Sequence, residues 1–329
     1  MKQKKHQYNN SVLRKNIERL NYLILIIQIK AVELLCFSIG KLYFFFPKKE
    51  NKQYLGIYLH SPINSDGYYR RFEHFIKHFD QENKSVQILG LFEENYIKEQ
   101  SIDAINRYQL YRKILVKRFV QILQAKNFKA IIVQRSLFPH YPDYNYPFFE
   151  KLLRKLCDNI CIDIWDPVHK WNPEFTYESF KFTDKISVNT PQLKKEYSSH
   201  FPSRKIFIWP IAVNPNLYQQ KTSYNNNKPL KLFYTGSPGN VSSNLIPIIP
   251  ILEKINQEIP LELIVVGSVA PKSDKIIIKH HQWNNYFFKN EIGNCDIGLY
   301  PNFNDDKDFT VAGKVLDYMT TGLPIVGAS

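Results

Sequence analysis

The sequence predicts an α/β chain built as two units in tandem behind a basic, apolar extension. Three observations carry this. Short apolar runs of strand length recur from residue 53 and alternate with segments of helical spacing, the pattern of parallel strands joined by helical crossovers. The rhythm breaks at 214–230 (NPNLYQQKTSYNNNKPL), which is polar, Asn-rich and aperiodic, and therefore reads as a linker. It then restarts and runs to the end of the chain. The expected divisions are an extension at 1–52, a first unit at 53–213, the linker at 214–230 and a second unit at 231–329. With 329 residues, 44% hydrophobic and 15% aromatic, the chain can fill two cores and lacks the composition of a disordered one.

The extension comes first. Residues 1–19 are polar and basic, and 20–46 (LNYLILIIQIKAVELLCFSIGKLYFFF) are apolar but interrupted by Lys30, Glu33 and Lys41. Those charges leave no charge-free run of the roughly 18 to 20 residues that a spanning helix needs. The apolar region is too long for a cleavable signal peptide, and no small-residue cleavage site follows. Two readings stand side by side: a helix packed on the protein itself, and a helix lying in the membrane interface with basic flanks near anionic head groups. A spanning segment ranks third. The chain carries +14, and residues 1–52 hold eleven Lys/Arg against three Glu, a local excess of +8. That asymmetry asks for an anionic partner. A membrane surface met by residues 1–46 fits it. Nucleic acid fits less well, because the other basic residues are scattered rather than striped.

Strands of the first unit are expected at 54–59 (YLGIYL), 86–91 (VQILGL), 130–134 (AIIVQ), 160–165 (ICIDIW), 185–188 (KISV) and 206–209 (IFIW). Phe72, Phe75, Ile76 and Phe79 make one helical face between them; Phe148, Leu152, Leu153 and Leu156 make another. In the second unit strands are expected at 231–235, 261–266, 296–300 and 324–327, with helices near 241–257, 285–293 and 312–321. The last strand reaches the terminus with no helix behind it, so the second unit is expected to be truncated. Cys36, Cys157, Cys161 and Cys295 form no CxxC and have no His-rich partner segment. They read as free thiols in a reducing compartment, with no metal site.

Several strand ends carry residues suited to chemistry. LFYTGSPGNVSSNL (232–245) ends a strand at Gly236 and places Gly239 before a helix, where backbone NH groups can hold an anion. The loop has neither a Walker pattern nor GxGxxG, which disfavours a P-loop NTPase or a dinucleotide enzyme. LIVVGS turns at Gly267, and the strand of CDIGLYP carries Tyr300. Lys314 and Asp317 are three apart near the start of one helix and share a face; a Lys there suits a diphosphate and an acid suits sugar hydroxyls. In the first unit SPINSDGYYRR follows the first strand with Gly67, Tyr68 and Arg70; QRSLFPH ends the third with Arg135; DIWDPVH ends the fourth with Asp163, Asp166 and His169. Strand C-ends are where ligand crevices form in open α/β sheets, although Asp166 before Pro167 also suits a turn.

The ordered set FYTGSPGN, LIVVGS, CDIGLYP and GKVLDYMTTGLPIVGAS resembles the nucleotide-sugar-binding half of family 4 glycosyltransferases of the GT-B fold. The match is close over 228–329 and looser before it. The resemblance implies two Rossmann-like domains facing a cleft, with the donor on the second and the acceptor mainly on the first. It implies a retaining transferase without metal or resident cofactor, serving cell-surface polysaccharide synthesis. Its partners would be a nucleotide-sugar and a glycan or lipid-linked acceptor. It would work in the cytoplasm, at the inner face of the membrane if the extension binds there. By the same resemblance Gly236, Ser237, Gly239 and Asn240 line the phosphates, with Gly267 and Tyr300 beside them. Lys314 meets the diphosphate, and Asp317 touches the ribose. Catalysis falls to Lys314, Asp308 and Asp166, and Gly67, Tyr68, Arg70, Arg135, Asp163 and His169 line the acceptor side. The chain departs from the family in two places. The first acid of the usual pair is replaced by Phe309, with Asp308 one residue off. The bases that usually follow the first strand of the second domain are missing between Ser237 and Asn244, leaving the departing diphosphate to Lys314, with Arg70, Arg71 or Arg135 as further candidates. A non-catalytic nucleotide-sugar or partner binder is the alternative these departures leave open, and a nucleotide-sugar epimerase of similar fold is another.

Overall fold

A computed structural model of the chain describes residues 2–43, 53–63, 65–82, 84–93, 103–139, 146–224, 229–303 and 313–328. The chain folds as two compact units, Met1–Pro210 and Ile211–Ser329.

The first unit is a six-stranded, all-parallel sheet of order β2-β1-β3-β4-β5-β6. Its strands are β1 (Gln53–Leu59), β2 (Val86–Gly90), β3 (Phe128–Gln134), β4 (Ile160–Ile164), β5 (Lys185–Val188) and β6 (Ile206–Ile208), one for each apolar run of the sequence. After β1 the chain enters a short helix α2 (Asp66–Tyr68), a π-turn (Tyr69–Glu73) and α3 (His74–Gln81). The other crossovers are α4 (Ala104–Leu123), α5 (Phe148–Leu156), α6 (Val168–Trp171), α7 (Pro173–Phe180) and α8 (Pro191–Ser198). Their starts are written in the sequence. Asp103, Asn172 and Thr190 accept from the backbone of Asn106, Phe175 and Leu193, and Pro173 and Pro191 follow two of these caps at positions where a missing NH costs nothing.

Within the extension the described residues form one unbroken helix, α1 (Lys2–Leu42), packed against α4 and α5. Asn21, Leu25, Ile29, Val32 and Cys36 are buried, a stripe at spacings of four, four, three and four. Arg14 pairs with Asp103 at 3.1 Å, Arg112 donates to Gln28 at 3.1 Å, and the Tyr22 and Tyr108 rings meet at 5.5 Å. The packed-helix reading therefore holds for one face. The opposite face carries Leu13, Leu20, Leu23, Ile27 and Leu34, each more than half exposed. Lys30 and Glu33, which interrupt the apolar run in the sequence, pair at 2.8 Å. By length and composition Val12–Leu42 is apolar enough to cross a membrane, and only 22% of its most apolar window is buried in the protein.

The second unit is a five-stranded parallel sheet of order β11-β10-β7-β8-β9: β7 (Leu230–Thr235), β8 (Leu261–Val266), β9 (Ile277–His281), β10 (Ile297–Pro301) and β11 (Ile325–Ala328). Alternate residues of β7 and β8 enter different cores. Leu232, Tyr234, Leu263 and Val265 pack on one side, Phe233, Ile264 and Val266 on the other, which is why both strands are continuously apolar. Strand β9 (IIKHH) lies at the sheet edge and is largely exposed, so it has no apolar pattern and the sequence does not announce it. The helix expected at 241–257 is broken up: α9 (Pro238–Asn240) leads through a π-turn (Val241–Leu245) and a 3₁₀ turn (Ile246–Ile248) into α10 (Ile249–Ile255). Pro247 and Pro250 remove two backbone donors there. Helices α11 (Asn285–Glu291) and α12 (Gly313–Thr321) complete the unit.

Part of the expected linker is bound to this second unit. Lys221 donates from its backbone to Thr321 O at 2.8 Å and from Nζ to Cys295 O at 2.7 Å, and the Tyr224 hydroxyl donates to Gly322 O at 2.9 Å. Beyond a 3₁₀ turn at Pro215–Leu217, Lys221 and Tyr224 serve to close carbonyls of the second unit, which gives the segment no periodicity to read.

Candidate functional site

In the second unit the C-terminal ends of β7 and β8 meet through two glycines. A β-carbon on Gly267 would stand 2.5 Å from the Gly236 carbonyl oxygen, and one on Gly236 would touch Tyr234 and Asn240 at 3.1 Å. Gly239 has open space around it. The Ser237 hydroxyl caps α9, accepting from Asn240 N at 3.4 Å.

Lys314, on the first turn of α12, points to the same place. Its Nζ donates to the Tyr234 hydroxyl at 3.3 Å and lies 4.3 Å from the ring centre, and that hydroxyl donates to Asn240 O at 2.9 Å. Tyr234 thus joins Lys314 to the Gly236–Asn240 turn. Strand alternation marks Tyr234 only as a core residue, and its hydroxyl was not foreseen as a site group. Among the described residues the Lys314 ammonium meets no carboxylate, and burial pulls its pKa down to about 8. Among the described residues, this half-buried cation has a neutral phenol beside it and no counter-charge.

Other expected donor residues stand apart. Asp317 is fully buried and accepts from the Tyr218 hydroxyl at 2.7 Å. Its carboxylate faces inward, so the expected ribose contact is not available in this arrangement. Tyr300 is half-buried, its hydroxyl accepting from Asn302 at 3.1 Å, and burial raises its pKa. Asp308 and Phe309 lie outside the described residues.

At the rim of the first sheet, two expected site groups serve the interior instead. Asp163 is fully buried, bound by Arg71 through two nitrogens and by the Ser187 hydroxyl at 2.5 Å. Arg71 also donates to Trp209 O and lies 4.5 Å from the Trp209 ring. A buried aspartate that needs a buried arginine explains both, and neither is open to an acceptor. His169 is buried, with Nδ1 3.0 Å from the Tyr197 hydroxyl. Arg70 is buried and Tyr68 half-buried.

Arg135 and Asp166 do come together as an ion pair, with the guanidinium 5.1 Å from the Trp171 ring. Arg135 has φ of 64°, a left-handed conformation that a non-glycine residue adopts at a cost of about 1–3 kcal/mol and that collects at functional sites. A β-carbon on Gly67 would fall 2.9 Å from the Trp165 ring and 3.0 Å from Gln134 Nε2. Gln134 Nε2, Trp165 Nε1 and Asn189 Oδ1 are buried without a partner among the described residues. These three end or follow β3, β4 and β5. Sequence reasoning passed over them, although their place at strand ends was the available signal. Unpaired buried donors and acceptors cost free energy. Arg118, fully buried on α4, holds this rim in shape by donating to Leu59 O at 2.6 Å, Leu89 O at 3.3 Å and Leu137 O at 2.7 Å.

No protein family matches the chain by sequence, and no curated protein does. Solved structures match it in shape. A glycosyltransferase from Rickettsia africae ESF-5 aligns with TM-score 0.53 at 10% identity, over 84% of this chain and 79% of that one. A protein assigned as a UDP-N-acetylglucosamine 2-epimerase, from Listeria monocytogenes, aligns with TM-score 0.50 at 11% identity over 84% of this chain and 79% of that one. The pneumococcal O-GlcNAc transferase GtfA, in complex with UDP and GlcNAc, aligns with TM-score 0.43 at 13% identity over 64% of this chain and 44% of that one. The chain spans less than half the length of that last protein. The likeness is one of fold: two parallel α/β units of the GT-B class.

Proposed function

We propose that this chain is a glycosyltransferase that takes a sugar from a nucleoside-diphosphate donor held by the second unit and gives it to a glycan or lipid-linked acceptor held by the first. One observation carries the reading: a half-buried lysine without a carboxylate partner among the described residues, tied through Tyr234 to a glycine-rich turn at strand C-ends. In such a transfer the bond between the anomeric carbon and the diphosphate breaks, and negative charge gathers on the departing oxygen. Lys314, with the NH groups of Ser237 and Gly239, offsets that charge, the part a metal takes in other enzymes. The reaction retains configuration and uses no resident cofactor. Asp166 and Arg135, paired and partly exposed at the C-terminal rim of the first sheet, meet the acceptor. The enzyme works on the cytoplasmic side of a membrane, with the exposed face of α1 in the interface, in cell-surface polysaccharide synthesis.

A second reading has its own observation. The first acid of the family's usual pair is replaced by Phe309, and the bases usual after the first strand of the second unit are missing between Ser237 and Asn244, which favours a protein that binds a nucleotide-sugar without turning it over. Thermal shift with UDP, GDP, CDP, ADP and their sugars reads binding; a ligand at about a hundred times its dissociation constant adds roughly 2.7 kcal/mol. Release of nucleoside diphosphate in the presence of acceptor then separates the two readings. No shift with any nucleotide overturns both.

A further inference from the structure

A groove of about 610 Å³ runs between α1 and α5 in the first unit. It has the size of a small-molecule site. On α1 it is lined at helical spacing by Lys30, Leu34, Phe37 and Lys41, with Cys36 and Gly40 beneath; on α5 it is lined by Phe148, Lys151, Leu152 and Lys155. The floor is apolar and the rim is basic. Four lysines stand against one glutamate, Glu33, and that one is paired with Lys30. Leu34 belongs both to the groove and to the exposed apolar face of α1, so the two surfaces are continuous.

We propose that this groove seats a hydrocarbon chain of an anionic bilayer lipid, with the lipid phosphate among Lys41, Lys151 and Lys155. The occupant follows from charge and continuity. Hydrocarbon floor and cationic rim are the complement of an acyl chain and its phosphate, and the groove opens beside the face that a membrane interface would cover. This rests on the membrane part of the function proposed above and is independent of sugar transfer.

The test is flotation of the full-length protein with phosphatidylcholine vesicles, with and without phosphatidylglycerol. A β-carbon at Gly40 makes only ordinary contacts, 3.8 Å to Lys155 Cγ and 4.0 Å to Leu152 Cδ1, and a leucine there adds bulk to the groove lining. Wild type binds the anionic vesicles. Gly40→Leu, and separately the combined Lys41→Glu, Lys151→Glu and Lys155→Glu protein, lose more than about tenfold in affinity, because the first narrows the seat of the chain and the second reverses the charge that meets the phosphate. Gly40→Ala binds as wild type and shows that the helix tolerates the β-carbon. If Gly40→Leu and the charge-reversed protein bind as wild type while Ile27→Glu does not, the outer face acts alone and the groove proposal is overturned. Failure of wild type to prefer anionic vesicles overturns it too. Nucleotide thermal shifts on the same proteins report on the second unit, so loss of the donor reading leaves a distinct signature.

Discussion

The ammonium of Lys314 lies 3.3 Å from the hydroxyl of Tyr234 and 4.3 Å from the centre of its ring. The phenol orients the cation without neutralising it, and the same hydroxyl fixes the turn that carries Gly236 and Asn240.

Replacing Lys314 with alanine removes the cation from that turn. We expect the nucleotide-diphosphate thermal shift to disappear and affinity to fall by more than about tenfold, the scale of a charge-assisted contact. Tyr234→Phe keeps the ring but leaves Asn240 O without its donor. It should cost about 1–3 kcal/mol of stability and weaken binding less than Lys314→Ala. Equal binding by wild type and Lys314→Ala in isothermal titration would remove Lys314 from the donor site.

Binding should also depend on pH, with a definite sign. The Lys314 pKa is depressed to about 8, so the ammonium is charged below that value and lost above it. A bound diphosphate favours the charged form. Affinity is therefore flat at neutral pH and falls as pH rises from about 8 toward the ordinary lysine value near 10.4, with protons taken up on binding in that window. Without ligand the sign reverses: the unfolded chain holds the proton more tightly, and stability rises across the same window. Calorimetry in buffers of different ionisation enthalpy measures the proton uptake.

Asp163 and Arg71 are fully buried partners. Removing one leaves the other charge stranded, so Asp163→Ala or Arg71→Ala should cost about 3–5 kcal/mol in denaturant unfolding. A variant that keeps its stability and loses only transfer would return Asp163 to the acceptor side.

Gly267 and Gly239 make a matched pair. A methyl at 267 meets the Gly236 carbonyl at 2.5 Å, and one at 239 meets nothing within 4 Å. Gly267→Ala should therefore destabilise by about 1–3 kcal/mol, the cost of forcing a packed backbone apart, and Gly239→Ala should be silent in thermal unfolding.

The sheets were legible because parallel strands buried on both faces are written as unbroken apolar runs; YLGIYL, LFYT and LIVV needed no context. Edge strand β9 was not legible, since an exposed IIKHH looks like any loop. The site divides on similar grounds. Lys314 could be placed by its position at a helix start. Asp163 and Asp317 could not be separated from surface acids, because what buries them is Arg71 and Tyr218, residues 92 and 99 positions away. The Tyr234 hydroxyl was hidden because a tyrosine in a core strand reads as a large apolar residue.

The long N-terminal helix makes shortening the chain an unpromising way to tame it. Its inner stripe covers part of α4 and α5, where Tyr108, Arg112 and Leu152 meet it, and its outer stripe is oily in its own right. Cutting it away trades one greasy surface for another. The handling problem is better met by giving the outer stripe something to rest on, a detergent micelle or a lipid disc, than by removing the segment that carries it.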